Sequence, residues 1–222
     1  MEEKSGNFTS GQNLYIYVFS RMKKGLDKYT IIKDYAKSGV AESDARSKIE
    51  PLYKKIYDAA VREKYTSDYF QRALLGALAA ALAGGIGWGV LALKLDYESA
   101  VIAWSIGGLA GSMVVWFTGG KKGTTLQTMA VIASLAGILL GKYIVYFYQY
   151  KEIVLQTMGE EAAGKLTYYS QDIIYNFIEE IPHLFEMFDI VWVIVALLTA
   201  WRIPKDMGVP VSDSPIPQMF SN

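Results

Sequence analysis

The stretch GALAAALAGGIGWGVLAL, residues 76–93, decides the fold: it carries no charge and is crowded with Gly and Ala. Residues 73–93 are 21 consecutive uncharged positions, ended by Lys94. A bilayer core of about 30 Å needs roughly 20 apolar helical residues. A second uncharged run, residues 99–120, has 22 positions, and a third, 123–141, leads through Lys142 into the aromatic YIVYFY. A helix on the surface of a soluble domain keeps a polar face, and these runs have none. The spacing predicts an all-α, polytopic integral membrane protein with transmembrane helices at about 71–93, 99–119 and 125–147. A fourth span is expected at about 183–201. Its core, FDIVWVIVALLTAW, is short and gains length only by taking in His183 and Glu186 next to Pro182. Those charges, with Asp189, sit at one end, within reach of the headgroups.

Lys and Arg placement sets the expected orientation. Arg62, Lys64 and Arg72 precede the first span, Lys121 and Lys122 fill the turn GGKKGTT, and Arg202 and Lys205 follow the fourth span. With four spans all three groups share one side. The opposite side holds LKLDYES and an acidic stretch with Glu152, Glu160, Glu161, Asp172, Glu179 and Glu180, although Lys94, Lys142, Lys151 and Lys165 lie there too. The bias places both termini in the cytoplasm. The turn lysines are expected to face lipid phosphates.

Half of the chain is hydrophobic (52%) and a fifth charged (20%), but the two are segregated along it. Net charge is zero, which argues against a nucleic-acid partner. The chain has no Cys and one His, so no disulfide, thiolate zinc site or Cys nucleophile is available, and no cofactor is expected. The glycines do not make a nucleotide loop, because they lie inside uncharged spans rather than between a strand and a helix, and GGKKGTT lacks P-loop spacing. IEEIPHLFE places Glu179, Glu180, His183 and Glu186 close in sequence. A di-iron bundle needs two Glu-x-x-His motifs, so these residues read as a solvated acidic helix end.

Small residues recur every four positions: Ala77, Ala81, Gly85 and Gly89 in the first span, Gly107 and Gly111 in the second, Ala133, Gly137 and Gly141 in the third. In lipid such stripes let helix backbones approach closely. They allow two readings, packing within one chain or a homo-oligomer seam. LAAALAG at 78–84 and VIASLAG at 131–137 form a weak internal echo. Lys142 and Asp189 lie within or beside spans, where charge is costly and often functional. They either pair, closing the third helix onto the fourth, or snorkel outward separately.

Around the bundle, residues 1–12 read as a disordered N-terminus and 13–70 as a cytosolic helical module. Ile49, Leu52, Ile56 and Ala60 are at helical spacing, and Pro51 is a potential kink. Within 71–205, residues 150–182 should form an extracytoplasmic helical connection with an amphipathic stripe of Ile173, Ile174, Phe177, Ile178 and Ile181. Residues 206–222, with three prolines and no periodicity, read as a disordered tail.

The phrases AWSIGGLAGSMV, LAGILLGKY and FDIVWVIVALLTAWRIPK resemble stretches in a large set of small, uncharacterised bacterial multi-pass membrane proteins that join a variable cytosolic module to a compact helical bundle. The resemblance covers about residues 70–205. It implies a bacterial inner-membrane location and carries over no catalytic residue. The expected function is a non-enzymatic membrane scaffold or partner-binding subunit, with a protein partner on the N-terminal module. The alternative is a channel or transporter component formed by oligomerisation.

Overall fold

The computed structural model describes residues 11–95, 100–185 and 187–211. Every element among them is helical: α1 (Gly11–Lys23), α2 (Lys28–Ala36), α3 (Glu42–Glu63), α4 (Phe70–Leu95), α5 (Ala100–Phe117), α6 (Thr124–Met158), α7 (Glu160–Gly164), α8 (Gln171–Leu184) and α9 (Met187–Arg202), with a single 3₁₀ turn at Ser67–Tyr69. The chain divides into two compact units. One comprises Met1–Lys64 with Asp206–Asn222, the other Tyr65–Lys205.

The first unit has the core of a water-soluble domain. Leu14, Val18, Ile31, Ile32, Ile49 and Ile56 are buried together, each large side chain contributing about 1.5–3 kcal/mol relative to exposure. α3 packs on both α1 and α2 and runs through Pro51 without ending. The boundary falls at Lys64 rather than near residue 70, because Tyr65 already packs with the second unit's core. Residues 206–211, expected to begin a disordered tail, instead return to this unit. Asp206 accepts a hydrogen bond from the Gly208 amide in a tight turn, Val209 packs on the module core, and Lys64 Nζ donates to the Val211 carbonyl. Residues 1–10 and 212–222 lie outside the described residues, and α1 begins at Gly11.

Asp27 caps α2. Its carboxylate accepts from the Thr30 hydroxyl and from the amides of Tyr29 (3.0 Å) and Thr30 (3.3 Å). These bonds, the Thr30 hydroxyl first, hold its pKa below the usual carboxylate range. A depressed native pKa means the cap stabilises fully above the unfolded value and is lost as pH falls through the native one. Asp27→Ala should therefore speed amide exchange in α2 at neutral pH, matching a cap worth about 1 kcal/mol. The difference from the parent should close as pH drops below about 4. Exchange rates that differ equally at both ends of that range would show that the ionised cap is not responsible.

The second unit is built the other way round. Ala73, Ala77, Ala80, Ala110, Ala130 and Ala133 lie at its centre, while Leu78, Leu82 and Ile86 of α4, Ile132 of α6, and Ile194 and Leu198 of α9 are exposed. α5 and α6 pack on each other, and both touch α4 and α9. The chain ends of these helices meet through named bonds. The Tyr65 amide donates to the Lys122 carbonyl, the Gly123 amide to the Pro204 carbonyl, and Gln127 Nε2 to the Trp201 carbonyl at 2.8 Å. The start of α6 and the end of α9 therefore lie together, as an antiparallel order requires.

Two segments, Ser67–Leu95 and Thr124–Met158, are long and apolar enough to cross a membrane. α8 with α9 makes a third if the bent pair is one broken span. The expected spans therefore need correction in two places. α6 does not stop near residue 147 but continues to Met158, 35 residues in all, because nothing in KYIVYFYQYKEIVLQTM breaks a helix before Gly159, whose φ is +88°. The first part of the expected connection at 150–182 thus belongs to α6. The fourth segment is not one helix over 183–201. Pro182 removes an amide donor and crowds the preceding turn, Phe185 is extended (φ −109°, ψ 108°), and the axis turns by 99° between Gln171–Leu184 and Asp189–Arg202. α5, Ala100–Phe117, is apolar throughout but has only 18 residues, near the lower limit for a span. Residues 96–99, in the expected loop LKLDYES, lie outside the described residues.

Candidate functional site

A helix break exposes carbonyls at the end of one helix and amides at the start of the next. The α8–α9 break has charge at both. Lys142, on α6, is buried at 6% side-chain exposure, and its Nζ lies 3.1 Å from Asp189 Oδ2, with the Asp189 side chain 30% exposed. The same ammonium donates to the Leu184 carbonyl, the last of α8, at 3.2 Å. Asp189 stands in the first turn of α9. The cation thus meets the negative end of one helix dipole and the carboxylate the positive end of the other. The Phe185 and Trp88 rings flank the ammonium, with centroids at 5.4 and 5.8 Å. The structure brings the two sequence-predicted charges together, and the arrangement clamps a broken helix onto α6.

α8 lies against the same region of α6. Ile173 and Phe177 of the apolar stripe are buried, and the Phe177 ring meets Tyr143 and Tyr146 at 5.0 and 5.4 Å. Ile174 and Ile178 of that stripe are exposed, as is Tyr175. Tyr168 stacks on Phe147 at 4.0 Å, so aromatic rings gather around this end of the bundle.

The small-residue stripes face the chain's own helices. A methyl group added at Gly85 would stand 2.7 Å from the Gly137 carbonyl, and one at Gly89 2.7 Å from Ile144. At Gly107 it would overlap the Ala196 carbonyl, and at Gly111 it would meet Ile203 at 2.8 Å. Gly137 faces Ile106 and Ala81, Gly141 faces Trp88 and Gly85, and Ala77, Ala81 and Ala133 are buried. Gly87 and Gly108 face open space.

Several polar contacts were not legible from spacing. Buried Gln127 closes the end of α9 as described, and Trp104 Nε1 donates to Thr199 Oγ1 at 3.0 Å. Their signal was an amide and an indole inside apolar runs. Ser105 and Thr128 bond back to the Ile102 and Thr124 carbonyls, as hydroxyls in helices do. Among the described residues no group of three or more His, Asp or Glu could hold a metal ion. Glu186, of the acidic cluster with Glu179, Glu180 and His183, lies outside them. No protein family, curated protein or solved structure matches the chain.

Proposed function

We propose that this chain is a bacterial inner-membrane scaffold, a non-enzymatic subunit whose bundle sits in the bilayer and whose N-terminal module binds a protein partner. One observation carries the proposal: the two units have opposite solvent polarity. The module buries Ile, Leu and Val, as water demands. The centre of the bundle is rich in Ala and Gly, with Ile106, Leu126 and Ile138 buried among them, while many Leu and Ile side chains of α4, α6 and α9 face outward, an arrangement suited to lipid, where close backbone packing rather than hydrophobic burial drives helix association.

The placement in the bilayer follows from α6. From Thr124, beside the basic turn, to Tyr146, among the aromatic rings, the helix rises about 33 Å, close to the hydrocarbon thickness of about 30 Å. Basic residues at one boundary and Tyr at the other fit the positive-inside and aromatic-belt preferences. In this reading α4, α5, α6 and α9 are four antiparallel spans, both termini are cytoplasmic, and α8 lies in the outer interface with Tyr175 and Ile178 toward the headgroups.

Because the glycine stripes are filled within the chain, support shifts from a homo-oligomer seam toward partner binding. Tyr15 and Ile16 of α1 are exposed, Ile16 at 57%, and make the first place to seek contact. Native mass spectrometry of the full chain, gently purified from its host membrane, tests this. The expected result is a second, distinct protein at fixed stoichiometry, lost in Ile16→Glu. A homo-oligomer of fixed number that passes ions in liposomes would replace the scaffold with the channel alternative.

A further inference from the structure

We infer that the basic end of the bundle binds the phosphate headgroup of an anionic phospholipid; this rests on the membrane placement above. Separate segments converge there. Tyr69 ends the 3₁₀ turn before α4, and its ring carries the Arg72 guanidinium at 5.9 Å and Lys121 Nζ at 4.9 Å. Lys121 and Lys122 sit in a turn between α5 and α6 where Gly119, Gly120 and Gly123 take φ of +68°, +86° and +146°. Backbone bonds fix that turn: the Lys122 carbonyl accepts from Tyr65, and the Gly123 amide donates to Pro204. The second bond brings in the end of α9, where Arg202 and Lys205 are exposed.

Two exposed carboxylates flank this collar in sequence, Asp68 beside Tyr69 and Asp206 after Lys205. Arg72, Lys121, Lys122, Arg202 and Lys205 outnumber these two carboxylates, a local excess of positive charge in a chain whose net charge is zero. A phosphodiester complements it in two ways. Its oxygens accept from the guanidinium and ammonium groups, and its acyl chains continue along the outward Leu and Ile residues of α4 and α9. A free phosphate satisfies the first requirement and not the second. The fixed turn and the shared Tyr69 ring hold the cations in one place, so binding should depend on particular residues and not on net charge alone.

The test uses the full chain in neutral detergent, with its unfolding midpoint read against added phosphatidylglycerol, phosphatidylcholine or inorganic phosphate. Phosphatidylglycerol should raise the midpoint, and the other two should not. Arg72→Gln and Lys121→Gln should each weaken the apparent affinity for phosphatidylglycerol about fivefold, the ratio expected per cation at an anionic surface. Lys151→Gln, beyond the other end of the span, should leave it unchanged. If a Tyr69 neighbour does not tolerate substitution, Arg202→Gln/Lys205→Gln asks the same question on exposed side chains. An equal response to both lipids, an unaltered response in the collar variants, or a full response to inorganic phosphate overturns the lipid site. Carbonate extraction of membranes separates this failure from a deeper one. A chain that stays in the pellet but does not discriminate lipids loses only the site, whereas one released into the supernatant loses the membrane placement itself.

Discussion

Gly107→Ala is expected to lower the unfolding midpoint of the detergent-solubilised chain by many degrees, and Gly108→Ala, one residue on, to leave it unchanged or raise it. Both changes add one methyl group to the same helix. At Gly107 the new carbon falls on the Ala196 backbone, with the Ala196 carbonyl carbon 2.7 Å away and its Cα 2.8 Å. A flexible side chain could swing aside; a helix backbone must translate. Separating α5 from α9 then disturbs the contacts that depend on their approach, including Trp104 to Thr199. Overpacking of this kind costs about 1–3 kcal/mol or more. At Gly108 nothing stands within 4 Å, and the exchange removes a poor helix former, a gain of up to about 1 kcal/mol. Gly85→Ala should behave like Gly107→Ala, and Gly87→Ala like Gly108→Ala. Equal responses at 107 and 108 would mean that α5 and α9 do not make this approach in the folded protein.

That contrast also marks how far the sequence could be read. The four-residue spacing of small residues is visible without coordinates, and it identifies helix faces built for close approach. It does not identify what approaches, because glycine has no side chain whose chemistry points to a partner. Gly107 and Gly111 could equally have faced a second copy; the fold gives them Ala196 and Ile203. The end of α6 was missed for a different reason. Polarity returns at Gln149, Lys151 and Glu152, which marks where an apolar run stops, but helicity persists until Gly159. Hydropathy and helix propensity end independently. The turn at 206–211 was unreadable because its order comes from Val209 meeting the module core, a contact between segments distant in sequence. Pro182, by contrast, was a visible warning, and the helix does end two residues beyond it. Lys142 and Asp189 were legible because a charge in an apolar run demands an explanation, whereas Gln127 is less conspicuous and its role emerges only when α9 is placed beside it.

The second large effect is expected at the ion pair, and its asymmetry is the informative part. Asp189→Asn should destabilise the bundle far more than Lys142→Met, and the double variant should recover much of the loss. Asp189→Asn leaves Lys142 Nζ at 6% exposure without that carboxylate, and breaking a buried pair by removing one partner costs about 3–5 kcal/mol. Lys142→Met removes the more deeply buried charge and replaces it with a flexible apolar side chain beside Trp88 and Phe185. The stranded carboxylate is 30% exposed and keeps the favourable end of the α9 dipole, so its penalty is smaller. In Lys142→Met/Asp189→Asn no uncompensated charge remains, and the non-additivity of the three unfolding midpoints measures the coupling. The Leu184 carbonyl loses its donor in both lysine variants, so recovery should stop short of the parent, and amide exchange at the start of α9 should stay faster than in the parent. Two single variants with equal and additive losses would remove the clamp from the account of the α8–α9 break, leaving Pro182 alone to hold the turn.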